Sequence, residues 1–321
     1  MRTTPLRSLA ALLASLPMVA AAAQDFPAKP ITFIVPFTAG SATDQLGRAI
    51  GQGVAEQTGQ SVVIENKPGA SAMIGAQTAA RAAPDGYTVL ITTNTTHAAN
   101  EHLYKSLPYD PVKDFSPVTL LGKGGQFMVV NPSSEAKSVS DFLALARKSP
   151  GKLSFGSGSS SSRIAGELLQ QMADVKLLHV PYKSNPLAIT DLLGGQIDMM
   201  ITDSATGLPQ VEAGKLRGLG FTGSERSPLA PNLPTIAEAG VPGYEMGYWF
   251  GAYVPAGTPQ AVVTKLNDLL IKATQRQAAQ HFYKSTGTTP ATSTPQELAQ
   301  FQRNESQKWG DIIKKAGIQP E

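Results

Sequence analysis

The segment FIVPFTAGSATD (residues 33–44) runs from β-forming residues through a polar turn into a helical pattern. From Asp44 onward the apolar residues follow helical spacing, which ends at Gly59, and another apolar run lies at residues 62–64. This order predicts a β-α-β unit with parallel strands. The turn then lies where a strand ends and a helix begins, with Thr43 as the expected N-cap. Free backbone N–H groups and the helix dipole favour an anion there.

A second unit of the same kind occurs in the middle of the chain. Residues 153–155 predict a strand, the loop GSGSSSS (residues 156–162) follows, and helical spacing beyond it leads to a strand at residues 177–180. The 321-residue chain is also longer than one hydrophobic core usually supports. We therefore expect an α/β fold of two lobes, each a mostly parallel sheet flanked by helices, with one anion-binding turn per lobe at the cleft between them.

The boundaries of the lobes follow from a segment dense in Pro and Gly at residues 228–257. We expect the chain to leave lobe 1 near residues 122–125 and to return near residues 250–254. Two crossing segments side by side would act as a hinge. The predicted domains are a signal peptide at 1–23, lobe 1 at 24–124 and 251–321, and lobe 2 at 125–250.

The amino-terminal residues are typical of a secretory signal peptide. Arg2 and Arg7 precede an apolar stretch at residues 9–20, and small residues follow, so that cleavage is expected after Ala23. A membrane anchor is the alternative, but the apolar run is short and Pro17 interrupts it. Because the chain contains no cysteine, it has neither a lipid-anchor cysteine nor a disulfide. The sequence predicts a soluble periplasmic protein without direct membrane insertion.

Charge and motif content favour binding over catalysis. Without Arg2 and Arg7 the formal net charge falls from +3 to +1, which does not indicate a nucleic-acid partner. The chain has no G-x-S-x-G motif, and SEAK (residues 134–137) lacks the partner motifs of an acyl enzyme. The spacing of His97 and His102 does not suit a metal, and no loop has a full phosphate-binding motif. We expect no catalytic residues, no metal and no cofactor.

Seven segments of the chain, in order, resemble signatures of the Bug-type substrate-binding proteins of tripartite tricarboxylate transporters. They are KPITFIVPFTAGSATD, VVIENKPGASAMIGA, AAPDGYTVLI, KLSFGSGS, HVPYKSNPLAITDLLGGQIDMM, RSPLAPNLPTIAEAGVPGYE and PAGTP. The resemblance implies a two-lobed periplasmic binding protein of the Venus-flytrap type. It also implies a small carboxylate ligand and, as partner, a membrane permease of two subunits; we expect the receptor to be a monomer.

The resemblance also implies a set of ligand-binding residues in the loops that follow the strands. From lobe 1 these are Phe37, Thr38, Ser41, Thr43 and Asp44 in the first turn, and Thr93, Asn94, Thr95 and His97 in the second. From lobe 2 they are Ser157, Ser159, Ser160, Ser161, Pro181, Tyr182 and Asp203. This chain departs from the family pattern at several glycines, with Ser41 in the first turn and Ser71 and Ala72 in the loop after the second strand.

The expected walls are rich in hydroxyls and aromatic rings and carry few charges. They favour a compact or aromatic dicarboxylate, such as terephthalate, over citrate, because aromatic contacts contribute on the order of 1 kcal/mol beyond burial. Two alternatives stay open. A periplasmic sensor that presents a carboxylate to a two-component kinase would use the same residues, and a hydrolase is the less favoured alternative.

Overall fold

The structure is a computed structural model that describes residues 26–320, so the predicted signal peptide lies outside the described residues. Its strands are β1 Ile31–Val35, β2 Val62–Asn66, β3 Thr88–Thr93, β4 Phe115–Val130, β5 Ser154–Ser157, β6 Leu178–Pro181, β7 Met199–Asp203, β8 Arg217–Phe221 and β9 Gly247–Pro255. Its helices are α1 Ala42–Thr58, α2 Met73–Ala80, α3 Asn100–Leu103, α4 Val139–Lys148, α5 Ser160–Ala173, α6 Asn185–Leu193, α7 Ser204–Glu212, α8 Gln260–Thr274, α9 Gln277–Thr286 and α10 Pro295–Lys315. A π-helical turn, Thr95–Ala99, precedes α3.

The strands form two half-sheets that share β4. The first half-sheet has the order β2-β1-β3-β9-β4, and the second consists of β8, β4, β7, β5 and β6. Residues 115–125 of β4 pair with β9, and residues 126–130 pair with β7 and β8. Strands β1, β2 and β3 are parallel to one another, as are β5, β6 and β7, whereas every antiparallel pairing among residues 26–320 involves β4 or β9. The long strand β4 therefore connects the two halves.

Both predicted β-α-β units are confirmed, with one correction at the start of α1. The N-cap is Ser41 and not Thr43, because the Ser41 backbone is extended and its Oγ accepts a hydrogen bond from the Asp44 N–H. Thr43 lies inside the first turn of the helix. A serine at this position supplies the acceptor that the first turn of a helix needs.

The division into two lobes stays a prediction. The pairing of β9 indicates where the second boundary between the predicted lobes would lie. Gly247 lies opposite Gly125, and residues 247–250 pair with β4 in the first half-sheet. The pairing favours a second crossing near residue 246, a few residues earlier than the sequence suggested. Tyr248, Trp249 and Phe250 are strong strand formers, which explains why the end of the Pro- and Gly-rich segment is a strand.

Buried apolar side chains form three clusters. One lies within the first half and includes Leu46 and Leu270, and another lies within the second half and includes Leu192 and Met200. The third spans both halves and includes Trp309 of α10. Each half thus has its own core, and α10 packs where the halves meet. Among residues 26–320 no helix combines the length and apolarity that crossing a membrane requires.

Candidate functional site

The turns that follow β1 and β5 face each other across a narrow cleft. A cavity, here called the central cavity, lies between them and is lined by Phe37, Ser41, Ala42, Thr43 and Thr93, by Gln126, Gly158, Ser159, Ser161, Asn185 and Asp203, and by Tyr248 and Phe250. Its volume is ≈ 30 Å³, little more than two water molecules need. The structure therefore shows the cleft nearly closed.

The turn before α1 presents two free backbone donors to this cavity. The Asp44 N–H is capped by Ser41, and the Gln45 N–H donates to the Ser41 carbonyl. The N–H groups of Ala42 and Thr43 find no acceptor among the described residues, as expected for the first turn of a helix. Both residues line the central cavity, so the amino terminus of α1 has the free donors and the dipole that suit an anion.

The turn before α5 repeats this arrangement from the other side of the cleft. Ser159 is the N-cap, its Oγ accepts from the Ser162 N–H, and its carbonyl accepts from the Arg163 N–H. The N–H groups of Ser160 and Ser161 have no acceptor within residues 26–320. Since Ser161 lines the central cavity, the amino termini of two helices point their dipoles at one small space.

Asp44, a predicted ligand residue, stabilises the turn before α1 through hydrogen bonds on the side away from the central cavity. Its carboxylate accepts from the Gly40 N–H at 2.9 Å, from Arg48 Nε at 3.0 Å and from Asn66 Nδ2 at 2.9 Å. Burial would raise the pKa of Asp44, but the hydrogen bonds from Arg48, Gly40 and Asn66 outweigh it, so this pKa lies below its ordinary value. The structure thus makes Asp44 a positioning residue that does not line the central cavity.

Asp203 lines the cavity, but its carboxylate is already bonded to neighbouring groups. One oxygen accepts from the Thr206 N–H at 2.9 Å as the N-cap of α7, and the other accepts from Asn185 Nδ2 at 2.7 Å. Asn185 Oδ1 in turn accepts from the Gly158 N–H at 3.0 Å. This chain of bonds fixes the turn before α5 and occupies both carboxylate oxygens of Asp203.

In the described part of the chain, hydrogen bonds between side chains of the two halves cross the cleft directly. Thr38 Oγ1 and Ser184 Oγ lie 2.5 Å apart, and Ser160 Oγ donates to Asn100 Oδ1 at 2.8 Å. Thr38 and Ser160, both predicted ligand residues, therefore act here as contacts between the two halves. They stabilise the closed arrangement.

The structure does not bring Asn94, Thr95 and His97 to the cavity wall, although all three follow Thr93 in sequence. They are fully buried, and the π-helical turn directs His97 inward, where its ring stacks on Tyr253 with centroids 3.8 Å apart. Burial lowers the pKa of His97 to about 3, so the ring is neutral near pH 7. Their part in binding a ligand stays untested.

The other predicted residues of the second half line a neighbouring space, here called the distal cavity. Its walls include Ser157, Ser160, Pro181 and Tyr182, together with Ser71, Tyr104, Arg163 and His179, and it shares Gly158 and Ser159 with the central cavity. The Tyr182 hydroxyl donates to Asp191 at 2.7 Å, so only its ring is available as a wall. The predicted set is thus divided between two adjacent cavities.

Sequence reasoning missed Gln126, Asn185, Tyr248 and Phe250 in the central cavity. Gln126 is fully buried, and its Oε1 has no hydrogen-bond partner among the described residues. It lies in β4 where this strand passes from one half to the other, opposite Asp203 of β7. The sequence signal for Gln126 was the predicted crossing near residues 122–125, because residues of a strand that passes between the halves face the cleft.

The fold, with a cleft between two α/β halves, is that of a periplasmic solute-binding protein. A family model described as the tripartite tricarboxylate transporter family receptor matches residues 46–318, and the chain belongs to this family. The protein BugT of Bordetella pertussis is 32% identical over 298 residues, which are 92% of this chain and 91% of BugT. No cluster of residues suited to a metal occurs in the described part of the chain.

Solved structures agree closely with the fold. An R. palustris protein solved with adipate has a TM-score of 0.90 and 36% identity, covering 92% of this chain and 100% of that one. MatC from Rhodopseudomonas palustris, solved with bound malate, has a TM-score of 0.84 and 31% identity, with 90% and 100% covered. The predicted α/β binding-protein fold is confirmed, and membership of a receptor family confirms the prediction of a binding protein instead of an enzyme.

Proposed function

We propose that this protein captures a small dicarboxylate in its cleft, with one carboxylate group in the central cavity, and delivers it to the two-subunit permease of a tripartite tricarboxylate transporter. One observation carries the proposal: the free N–H groups of α1 and α5 face the same cavity from opposite halves. Each helix terminus contributes about half a positive charge. Together they favour one carboxylate group between them.

The neutral character of these donors suits a receptor that must also release its cargo. Backbone N–H groups bind a carboxylate without a formal charge of their own, whereas a bidentate arginine at the same place would add a full positive charge and slow release. Backbone N–H groups are also fixed by the helix, and little entropy is lost when they bind. Capture and delivery are therefore compatible at this site.

The apolar part of the cavity wall would contact the carbon skeleton between the two carboxylates of the ligand. Phe37, Tyr248 and Phe250 line the central cavity, and such rings pack against methylene chains as well as aromatic rings. The relatives solved with adipate and malate hold aliphatic dicarboxylates. We propose aliphatic dicarboxylates of this kind and the aromatic dicarboxylate terephthalate as the candidate ligands.

A thermal-shift screen of the mature protein tests the proposal with adipate, malate, terephthalate and citrate. Adipamide serves as the neutral control, because it keeps the adipate skeleton without charge. A hundredfold excess over the dissociation constant is expected to stabilise the folded state by about 2.7 kcal/mol for at least one dicarboxylate. A shift with adipamide as large as with adipate, or no shift with any acid, would refute carboxylate capture.

A further inference from the structure

The central cavity is too small to hold a whole dicarboxylate in this closed structure. Its volume is ≈ 30 Å³, whereas the distal cavity beside it has ≈ 100 Å³. Both cavities have Gly158 and Ser159 in their walls. Gly158 and Ser159 thus form a rim between the two cavities. If the first carboxylate of a ligand lies between α1 and α5, the nearest space for the rest of the ligand is the distal cavity, on the other side of this rim.

The walls of the distal cavity differ from those of the central cavity in charge. The central cavity has no basic side chain in its wall, whereas Arg163 and His179 both line the distal cavity. Arg163 is half-buried in the first turns of α5. A side chain in a helix leans over the turn that precedes it, which places the guanidinium towards the same rim.

Arg163 already interacts with a carboxylate of its own helix, Glu167. Burial raises the pKa of Glu167, and the charge of Arg163 and a hydrogen bond from Gln170 act in the opposite direction. A guanidinium has five N–H donors in a planar fork, so it can serve a second carboxylate as well.

The rest of the distal cavity is polar and held in place. Tyr104 Oη and Ser71 Oγ lie 2.5 Å apart, and Ser157 Oγ lies 2.7 Å from His179 Nε2. These hydroxyls and the imidazole are fixed by one another before any ligand enters. Preformed polar walls reduce the loss of side-chain entropy on binding.

We propose that the distal cavity is the subsite for the second carboxylate and that Arg163 makes the receptor selective for dicarboxylates over monocarboxylates. The inference rests on the proposed function, in which the first carboxylate occupies the central cavity. The helix termini then bind the first carboxylate of any acid, and Arg163 favours ligands that carry a second negative charge at the opposite end.

Calorimetric titration of Arg163→Gln tests this selectivity with two matched ligand pairs. Adipate is compared with hexanoate, and terephthalate with 4-methylbenzoate, so that each pair differs only in a carboxylate replaced by methyl. In Arg163→Gln the better-bound diacid is expected to lose about tenfold in affinity. Its monoacid should keep its wild-type affinity. Lys183→Gln, which removes an exposed charge outside both cavities, should change neither ligand of the pair.

The outcomes separate the subsite from the proposed function. Unchanged diacid affinity in Arg163→Gln, or an equal loss for diacid and monoacid, would overturn the subsite while carboxylate binding by the wild type stands. Binding of none of the four acids to the wild type would overturn both. Arg163→Lys keeps the charge without the fork, and a partial return of the diacid preference is expected.

Discussion

Ser41 has two tasks that the sequence alone would not separate. Its Oγ caps α1 through the Asp44 N–H at 3.3 Å, and its side chain forms part of the central cavity wall. The residue is almost fully buried. A substitution here therefore changes the start of the helix and the space for a carboxylate together, unless the replacement is chosen to alter only one of them.

Replacing Ser41 by leucine is expected to weaken adipate binding at least about tenfold, because the larger side chain enters the space beside the free N–H groups. Ser41→Gly is the matched control, since glycine at an N-cap costs only a few tenths of a kcal/mol and leaves the space open. Titration calorimetry of both variants measures the effect. Normal affinity in Ser41→Leu would mean that the turn only starts a helix.

A site residue could be predicted from the sequence where local secondary structure alone brings it to the cavity. The order strand, loop, helix predicts the turns that hold Ser41, Thr43 and Ser161, the family resemblance names the residues, and the structure places all three at the central cavity. Gln126 and Tyr248 could not be found in this way, because they lie inside long strands and reach the cavity only through the pairing of β4 and β9. Such positions depend on tertiary structure.

The loop between β2 and α2 contains three successive non-glycine residues in the left-handed region. Ala70, Ser71 and Ala72 have φ values of 46°, 49° and 69°. The left-handed conformation costs a non-glycine residue roughly 1–2 kcal/mol, and the loop keeps it because Asn100 Nδ2 and Tyr104 Oη bond to Ser71. The strain is held beside the distal cavity, which Ser71 lines.

Ala70→Gly is expected to raise the free energy of unfolding by about 0.5 kcal/mol. The relief of left-handed strain exceeds the greater freedom that glycine gives the unfolded chain. Ala70 is exposed, so little packing is lost. Ala261→Gly in the first turn of α8 is the control, and it should lower stability by a similar amount. Urea unfolding of both variants gives the sign; a loss in Ala70→Gly would show that this loop is not strained.

Elements with local signals were the most predictable. Helix α10 carries such signals at its start, because Thr294 and Glu297 form a capping box and Pro295 lies at the first helical position. Strand β9 was partly hidden, since its glycines and the prolines before it indicate a loop. The π-helical turn after β3 has no sequence signature, and it alone turns His97 away from the cleft.

At the scale of the whole molecule, hydrogen bonds and apolar packing between the two halves hold the cleft closed. The Thr38–Ser184 and Ser160–Asn100 hydrogen bonds cross it, and each neutral bond contributes about 0.5–1.5 kcal/mol. Strand β4 changes its partner from β9 to β7 and β8 near residue 125, and we expect the hinge there and at the second crossing just before β9. A bound carboxylate that contacts both α1 and α5 would add to the energy that holds the cleft closed.

Small-angle X-ray scattering tests most directly whether a carboxylate is captured between the two halves. The mature protein is measured without ligand and with a saturating amount of the dicarboxylate, among adipate, malate and terephthalate, that gives the largest thermal shift. The account predicts that the radius of gyration falls on binding and that the liganded curve matches the closed structure described above. An unchanged radius of gyration, in a sample that calorimetry shows to be saturated, would contradict it.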